Sequence, residues 1–99
     1  MSEVVKGKNI MVTGATSGIG LELARSFSSK GANLIILGKD EEKLDELYDE
    51  ISIHGGKNLI IKSDLKELDE KGAIQISDEI KKYYGNIDGL IHNAAILGN

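Results

Sequence analysis

No cysteine occurs among the 99 residues, so disulfides and thiolate metal sites are excluded, as suits a reducing compartment. No apolar run approaches membrane-spanning length. The opening Met1-Ser2-Glu3-Val4-Val5-Lys6 carries an acid and no long apolar core, unlike a secretory leader, and the expected location is cytoplasmic. No basic cluster offsets the acids. With 12 Lys and Arg against 16 Asp and Glu, the net charge is −4, which argues against a nucleic-acid surface. No Pro/Ser-rich linker, low-complexity tract or solenoid repeat interrupts the chain, so one domain is expected. Its 40% apolar and 28% charged content is ordinary for a soluble globular protein. A chain this size buries roughly two thirds of its unfolded surface, enough for one modest core.

Glycine, by contrast, is plentiful and specifically placed. Thr13-Gly14-Ala15-Thr16-Ser17-Gly18-Ile19-Gly20 follows the apolar run Ile10-Met11-Val12 and opens a helical pattern. Such a strand–turn–helix presents free N–H groups and the positive end of a helix dipole to whatever sits above the sheet. Gly14 permits a tight exit from the strand, Gly18 close approach of a pyrophosphate to the main chain, and Gly20 close helix–strand packing. The spacing is Gly-x-x-x-Gly-x-Gly, and no Gly-Lys-Ser/Thr follows. That disfavours a nucleoside-triphosphate loop and points to a dinucleotide site.

The remaining pattern alternates strand and helix. Lys8 to Thr13 is a strand, and Gly18 to about Lys30 a helix with Ile19, Leu23 and Phe27 on one face and Gly31 past its end. Asn33-Leu34-Ile35-Ile36-Leu37 has the continuous apolarity of a strand buried on both faces, ended by Gly38-Lys39. Asp40 can cap the next helix, whose inward face is Leu44, Leu47, Tyr48 and Ile51, closed by Gly55-Gly56. Leu59-Ile60-Ile61 is a third strand, leading to Ser63-Asp64-Leu65. Ala73, Ile76, Ile80 and Tyr83 or Tyr84 mark a third helix ending near Gly85, and Ile87 to His92 a fourth strand before Asn93-Ala94-Ala95. Parallel strands need such crossovers. The expected fold is α/β: a Rossmann-type doubly wound parallel sheet, truncated to four strands in the order 3-2-1-4 with three helices. The cleft at the chain reversal then lies above the end of the first strand.

Four features in this order resemble the N-terminal part of the short-chain dehydrogenase/reductase family: the Thr13–Gly20 turn, Gly38-Lys39, Asp64-Leu65 and His92-Asn93-Ala94-Ala95. The last usually reads Asn-Asn-Ala-Gly in that family, so His92 and Ala95 depart from it. The resemblance spans essentially the whole chain but only the first part of a full member. It implies that residues 1–99 are the N-terminal dinucleotide-binding half. Its cofactor-binding set would be Gly14, Thr16, Ser17, Gly18, Ile19, Gly20, Gly38, Lys39, Asp64, Leu65, Asn93, Ala94 and Ala95. The glycine turn would surround the pyrophosphate and nearby ribose, and Asp64 would accept from the adenine amino group with the Leu65 N–H beside it. Asp64 also reads as a cap or turn carboxylate. Asn93 and Ala94 would line the adenosine ribose, and Asn93 reads equally as a brace between the central strands.

An acid at the end of the second strand would grip the 2′-hydroxyl of NAD and repel a 2′-phosphate. Gly38 removes that repulsion and Lys39 adds a point charge, so NADP(H) is expected ahead of NAD. Asp40 is the competing candidate for a ribose-binding acid, although Glu41-Glu42-Lys43-Leu44 reads as a helix's first turn directly behind a cap. The family's chemistry needs a serine and Tyr-x-x-x-Lys. Ser52, Ile87 and Asp88 stand four residues after Tyr48, Tyr83 and Tyr84, so no catalytic residue is assigned and no turnover is expected of this chain alone. His54, beside Gly55-Gly56, reads as a solvated helix end, and His92 ends a strand with no carboxylate or second histidine at ligand spacing, so neither is expected to bind a metal.

Three readings of function follow. The first is the cofactor-binding part of an oxidoreductase passing hydride between NADP(H) and a carbonyl/alcohol pair, present as a truncated fragment. The second is a non-catalytic nucleotide-binding module or one part of a split complex, and the third is a remnant that binds nothing. The fourth strand lacks a fifth beside it, so self-association through an exposed sheet edge is expected.

Overall fold

The computed structural model describes residues 2–16, 18–64 and 67–92. Four strands, β1 (Asn9–Thr13), β2 (Asn33–Gly38), β3 (Leu59–Lys62) and β4 (Gly89–His92), form one parallel sheet in the order β3-β2-β1-β4, as the alternation predicts. The helices are a single turn α1 (Ser2–Val5), which the sequence reading did not anticipate, and the crossovers α2 (Gly18–Ser29), α3 (Glu41–Ser52) and α4 (Glu70–Tyr84).

Handedness distributes the helices. The connections β1→α2→β2 and β2→α3→β3 step one way across the sheet, while β3→α4→β4 returns past β1. Right-handed crossovers therefore put α2 and α3 on one face and α4 on the other. Burial agrees with this. Alternation along β2 points Leu34 and Ile36 into the main core, with Ile10, Val12, Ala24, Leu44, Leu47 and Ile51. Ile35 and Leu37 face the other way and are equally buried, on the side of α4 and its buried Ile80. A strand apolar on both sides thus lies where both faces are covered.

The helix faces depart from the expected stripes in two places. In α2 the buried residues are Gly20, Ala24 and Ser28, one position round from Ile19, Leu23 and Phe27. Small residues let the helix approach its neighbours closely, and the Ser28 hydroxyl donates to the Ile51 carbonyl of α3 at 3.2 Å. Phe27 packs at the edge of the core, whereas Ile19 in the first turn is 71% exposed. In α4 only Ile80 is fully buried, Tyr84 rather than Tyr83 turns inward, and Ala73 is exposed. Fifteen helical residues extend about 22 Å, but a four-residue strand only about 13 Å, so the first turns overshoot the sheet.

The fourth strand begins at Gly89, two residues later than expected, because the Asp88 carboxylate, not a backbone carbonyl, accepts the Asn9 N–H at 2.8 Å. This bond belongs to a polar seam along the amino ends of the strands that sequence patterning did not disclose. Asn9 donates from its side chain to the Asn86 carbonyl (3.0 Å), Asn33 donates to Asn9 Oδ1 (3.0 Å), Asn33 Oδ1 accepts the Lys57 N–H (2.8 Å) and Asn58 Oδ1 accepts the Leu34 N–H (3.0 Å). Backbone groups at strand ends have no ladder partner, and amide side chains satisfy them here. Beside the seam, the Lys57 ammonium lies over the rings of Tyr83 and Tyr84, 5.5 and 5.3 Å from their centroids. The Tyr84 hydroxyl donates to the Lys57 carbonyl at 3.0 Å.

Burial, reinforced by the neighbouring Tyr48 and Tyr83, pushes the Tyr84 phenol up to about 12 from its ordinary 10.0. A raised pKa means that the folded chain holds this proton where the unfolded chain has released it. The contribution is therefore complete below pH 10 and is lost as pH rises towards 12. Thermal unfolding followed from pH 9 to 12 is expected to fall more steeply in the wild type than in Tyr84→Phe, which has no phenol to ionise.

Candidate functional site

Because all four strands are parallel, their carboxyl ends share one edge of the sheet, and the expected site residues within the described segments gather there. Ser17, Leu65, Asn93, Ala94 and Ala95 lie outside the described residues. The chain leaves β1 at Gly14, whose N–H donates to the Leu37 carbonyl at 2.9 Å and whose φ of 63° favours glycine. Gly18 starts α2 with φ 56°, and a Cβ built there would meet nothing within 4 Å. Backbone conformation, not lack of room, requires glycine here, and the space above it is open. The first N–H groups of a helix have no intrahelical partner, so this opening faces donors and a positive dipole end. Gly20, two residues further along, is buried. Ile19 stands exposed at the mouth, so any role it has toward a ligand runs through its backbone or an uncovered apolar side chain.

Next to the turn is the end of β2. A Cβ at Gly38 would lie 3.5 Å from Leu44 Cδ2 and 3.7 Å from Thr16 Cγ2, ordinary contacts that bring Thr16 of the turn against Gly38. Lys39 follows, exposed, and makes no ion pair among the described residues. Asp40 is the N-cap of α3: its backbone is extended, and its Oδ1 accepts the Lys43 N–H at 3.1 Å. Of the two roles open to Asp40, the cap is the one its carboxylate performs in this structure. Lys39, Asp40, Glu41, Glu42 and Asp45 line a shallow depression of about 740 Å³ beside this corner. Asp64 lies half-buried just past β3, its carbonyl accepting the Glu67 N–H at 2.9 Å.

On the other side of β1, Thr13 Oγ1 and His92 Nδ1 share a hydrogen bond of 2.8 Å, donated by the hydroxyl or by the ring according to the imidazole tautomer. This tie joins β1 and β4 at the chain reversal, and sequence spacing held no signal for it. His54 is exposed in the turn after α3. Among the described residues no group of three or more His, Cys, Asp or Glu side chains could hold a metal ion. No described helix is long and apolar enough to cross a membrane.

The strand order and the parallel sheet are matched by known proteins. Residues 8–99 fit the short chain dehydrogenase family. The chain belongs to that family. The dehydrogenase fold is shared with a Shigella flexneri 2a structure solved in complex with NADP, at TM-score 0.90 and 33% identity over 99% of this chain and 41% of that one. The uncharacterised oxidoreductase YciK of Escherichia coli K12 is 34% identical over 98% of this chain and 39% of its own length. The fatty acyl-CoA reductase of Acinetobacter baylyi is 36% identical over 93% of this chain and 30% of its own length. The chain thus spans between 30% and 41% of the length of these relatives.

Asp40→Ala removes the acceptor for the Lys43 N–H and is expected to lower stability by about 1 kcal/mol in urea unfolding, the usual cost of an N-cap.

Proposed function

We propose that residues 1–99 form the dinucleotide-binding half of an oxidoreductase that moves hydride between NADP(H) and a carbonyl/alcohol pair. The observation that carries this reading is the open space over Gly18, at the amino end of α2 and beside the crevice where strand order reverses. A diphosphate there would meet main-chain donors with no side chain in between. Ligands in open α/β sheets bind at this switch point. The NADP bound in the Shigella structure, which has the same fold, supports the choice of ligand class.

Within this reading Gly14, Thr16, Ser17, Gly18, Ile19 and Gly20 surround the diphosphate and nearby ribose. Asp64 accepts from the adenine amino group, with Leu65 beside it, and Asn93, Ala94 and Ala95 line the adenosine side. Gly38 leaves the ribose 2′ position free of a competing acid, and Lys39 offers the charge that favours a 2′-phosphate. Asp40 is committed to its cap, which favours NADP(H) over NAD. The cofactor would supply the hydride, while these residues bind it and fix its orientation. The substrate pocket and the acid/base group would belong to sequence beyond the motifs found here, so the chain alone is a binding unit. Its location is read as cytoplasmic.

The same reading makes β4 a point of association. β4 pairs only with β1 among the described strands, and Leu90 on it is 61% exposed. An unpaired edge beside exposed apolar area favours a second copy of the chain.

Gly18→Asp places a carboxylate in the proposed anion site and is expected to weaken NADPH binding about a hundredfold, or about 2.7 kcal/mol. Gly55→Asp is the control. Gly55 also has positive φ and open surroundings, but it lies in the turn after α3, so its substitution is expected to leave affinity unchanged. Tighter binding of NAD than NADP at low salt would overturn the cofactor assignment. In sedimentation equilibrium the chain is expected to associate as its concentration rises, and Leu90→Lys to remain monomeric. A wild-type chain that stays monomeric with a sharp unfolding transition would overturn the association.

A further inference from the structure

Lys62 has no place in the cofactor set drawn from the sequence, yet the sheet sets it beside the ribose corner. In the β2–β3 pairing Gly38 is opposite Lys62. Register partners in a parallel sheet project to the same face, with strands about 4.8 Å apart. The Lys62 side chain therefore rises next to the space that a side chain at position 38 would fill, on the face where that space meets Thr16 and Leu44. Its ammonium reaches Glu41 Oε1 in the first turn of α3, at 3.1 Å. Both members of this pair are largely exposed, at 57% and 66% of the side chain, so solvent screens the attraction and the pair is easily exchanged.

Charge around the corner explains why a second cation matters. Lys39 is accompanied there by Asp40, Glu41, Glu42 and Asp45. A phosphomonoester carries close to two negative charges at neutral pH, so Lys39 alone would offer it one positive charge among several acids. We propose that Lys62 is a specificity-determining residue for a 2′-phosphorylated adenosine. Glu41 holds the ammonium beside Gly38 until the 2′-phosphate takes it over. The pairing leaves Lys62 poised but not committed, and a ribose with a free 2′-hydroxyl has nothing to draw it away. This inference rests on reading the site as one for NADP(H). It adds a residue from β3 to a discrimination otherwise assigned to the end of β2.

The test uses the full chain and two probes, adenosine 2′,5′-bisphosphate and adenosine 5′-monophosphate, titrated by calorimetry at low salt. The wild type is expected to prefer the bisphosphate. Lys62→Gln is expected to weaken the bisphosphate about tenfold and leave the monophosphate unchanged, and Lys62→Arg to restore the preference. Raising the salt should narrow the gap between wild type and Lys62→Gln. Should Lys62→Gln change the bisphosphate-to-monophosphate ratio less than threefold while Lys39→Gln abolishes it, Lys39 alone reads the phosphate and the proposal is overturned. A wild type that binds both probes equally, or neither, would instead overturn the NADP(H) reading itself, and this inference with it.

Discussion

Strand β1 is hydrogen-bonded on both sides, to β2 along its whole length and to β4 from Ile10 to Thr13, and the rest of the molecule follows from that double pairing. The chain moves outward from β1 through β2 to β3 and must then return to β1's free side. That return forces α4 to the opposite face from α2 and α3, and it opens the crevice at the end of β1. Core and site have one cause. Burying both faces of β2 requires helices on both sides, and helices on both sides require a point where the direction of winding changes.

The two ends of the sheet solve different problems. At the amino ends, backbone groups beyond the ladders are satisfied by side-chain amides and by the Asp88 carboxylate, a closed set of hydrogen bonds reinforced by the Lys57–Tyr84 contact. At the carboxyl ends fewer groups are tied together this way. Among the described residues, Gly18 has open space above it, Lys39 has no ion pair, and Lys62 is paired with the solvent-exposed Glu41 carboxylate. A closed end fixes register, and an open end can receive a ligand. That division is common where function sits on loops carried by a rigid scaffold.

Family membership bears on these features unevenly. It accounts for the fold, over nearly all of this chain but under half of the length of its relatives. It does not by itself decide the corner at the end of β2, which depends on individual side chains. Gly38 and Asp40 illustrate this: two residues apart, one leaves a gap beside Thr16 while the other spends its carboxylate on a helix cap.

What the sequence determined by itself was the architecture and the position of the glycine turn. Apolar runs of strand length alternating with helical stripes admit few parallel arrangements, and Asp40, Leu44, Leu47 and Ile51 fell where cap and core required them. Tertiary structure decided whatever depends on neighbours distant in sequence. It chose the Gly20-Ala24-Ser28 face of α2 over the Ile19 stripe, because close packing favours small residues. It chose Tyr84 over Tyr83, because only one of two adjacent helical positions can face the sheet. It also brought Thr13 to His92, and Lys62 to Glu41 beside Gly38. Periodicity describes how one segment presents its own faces. It carries no information on which strand lies alongside, and pairings between strands are what place these side chains together.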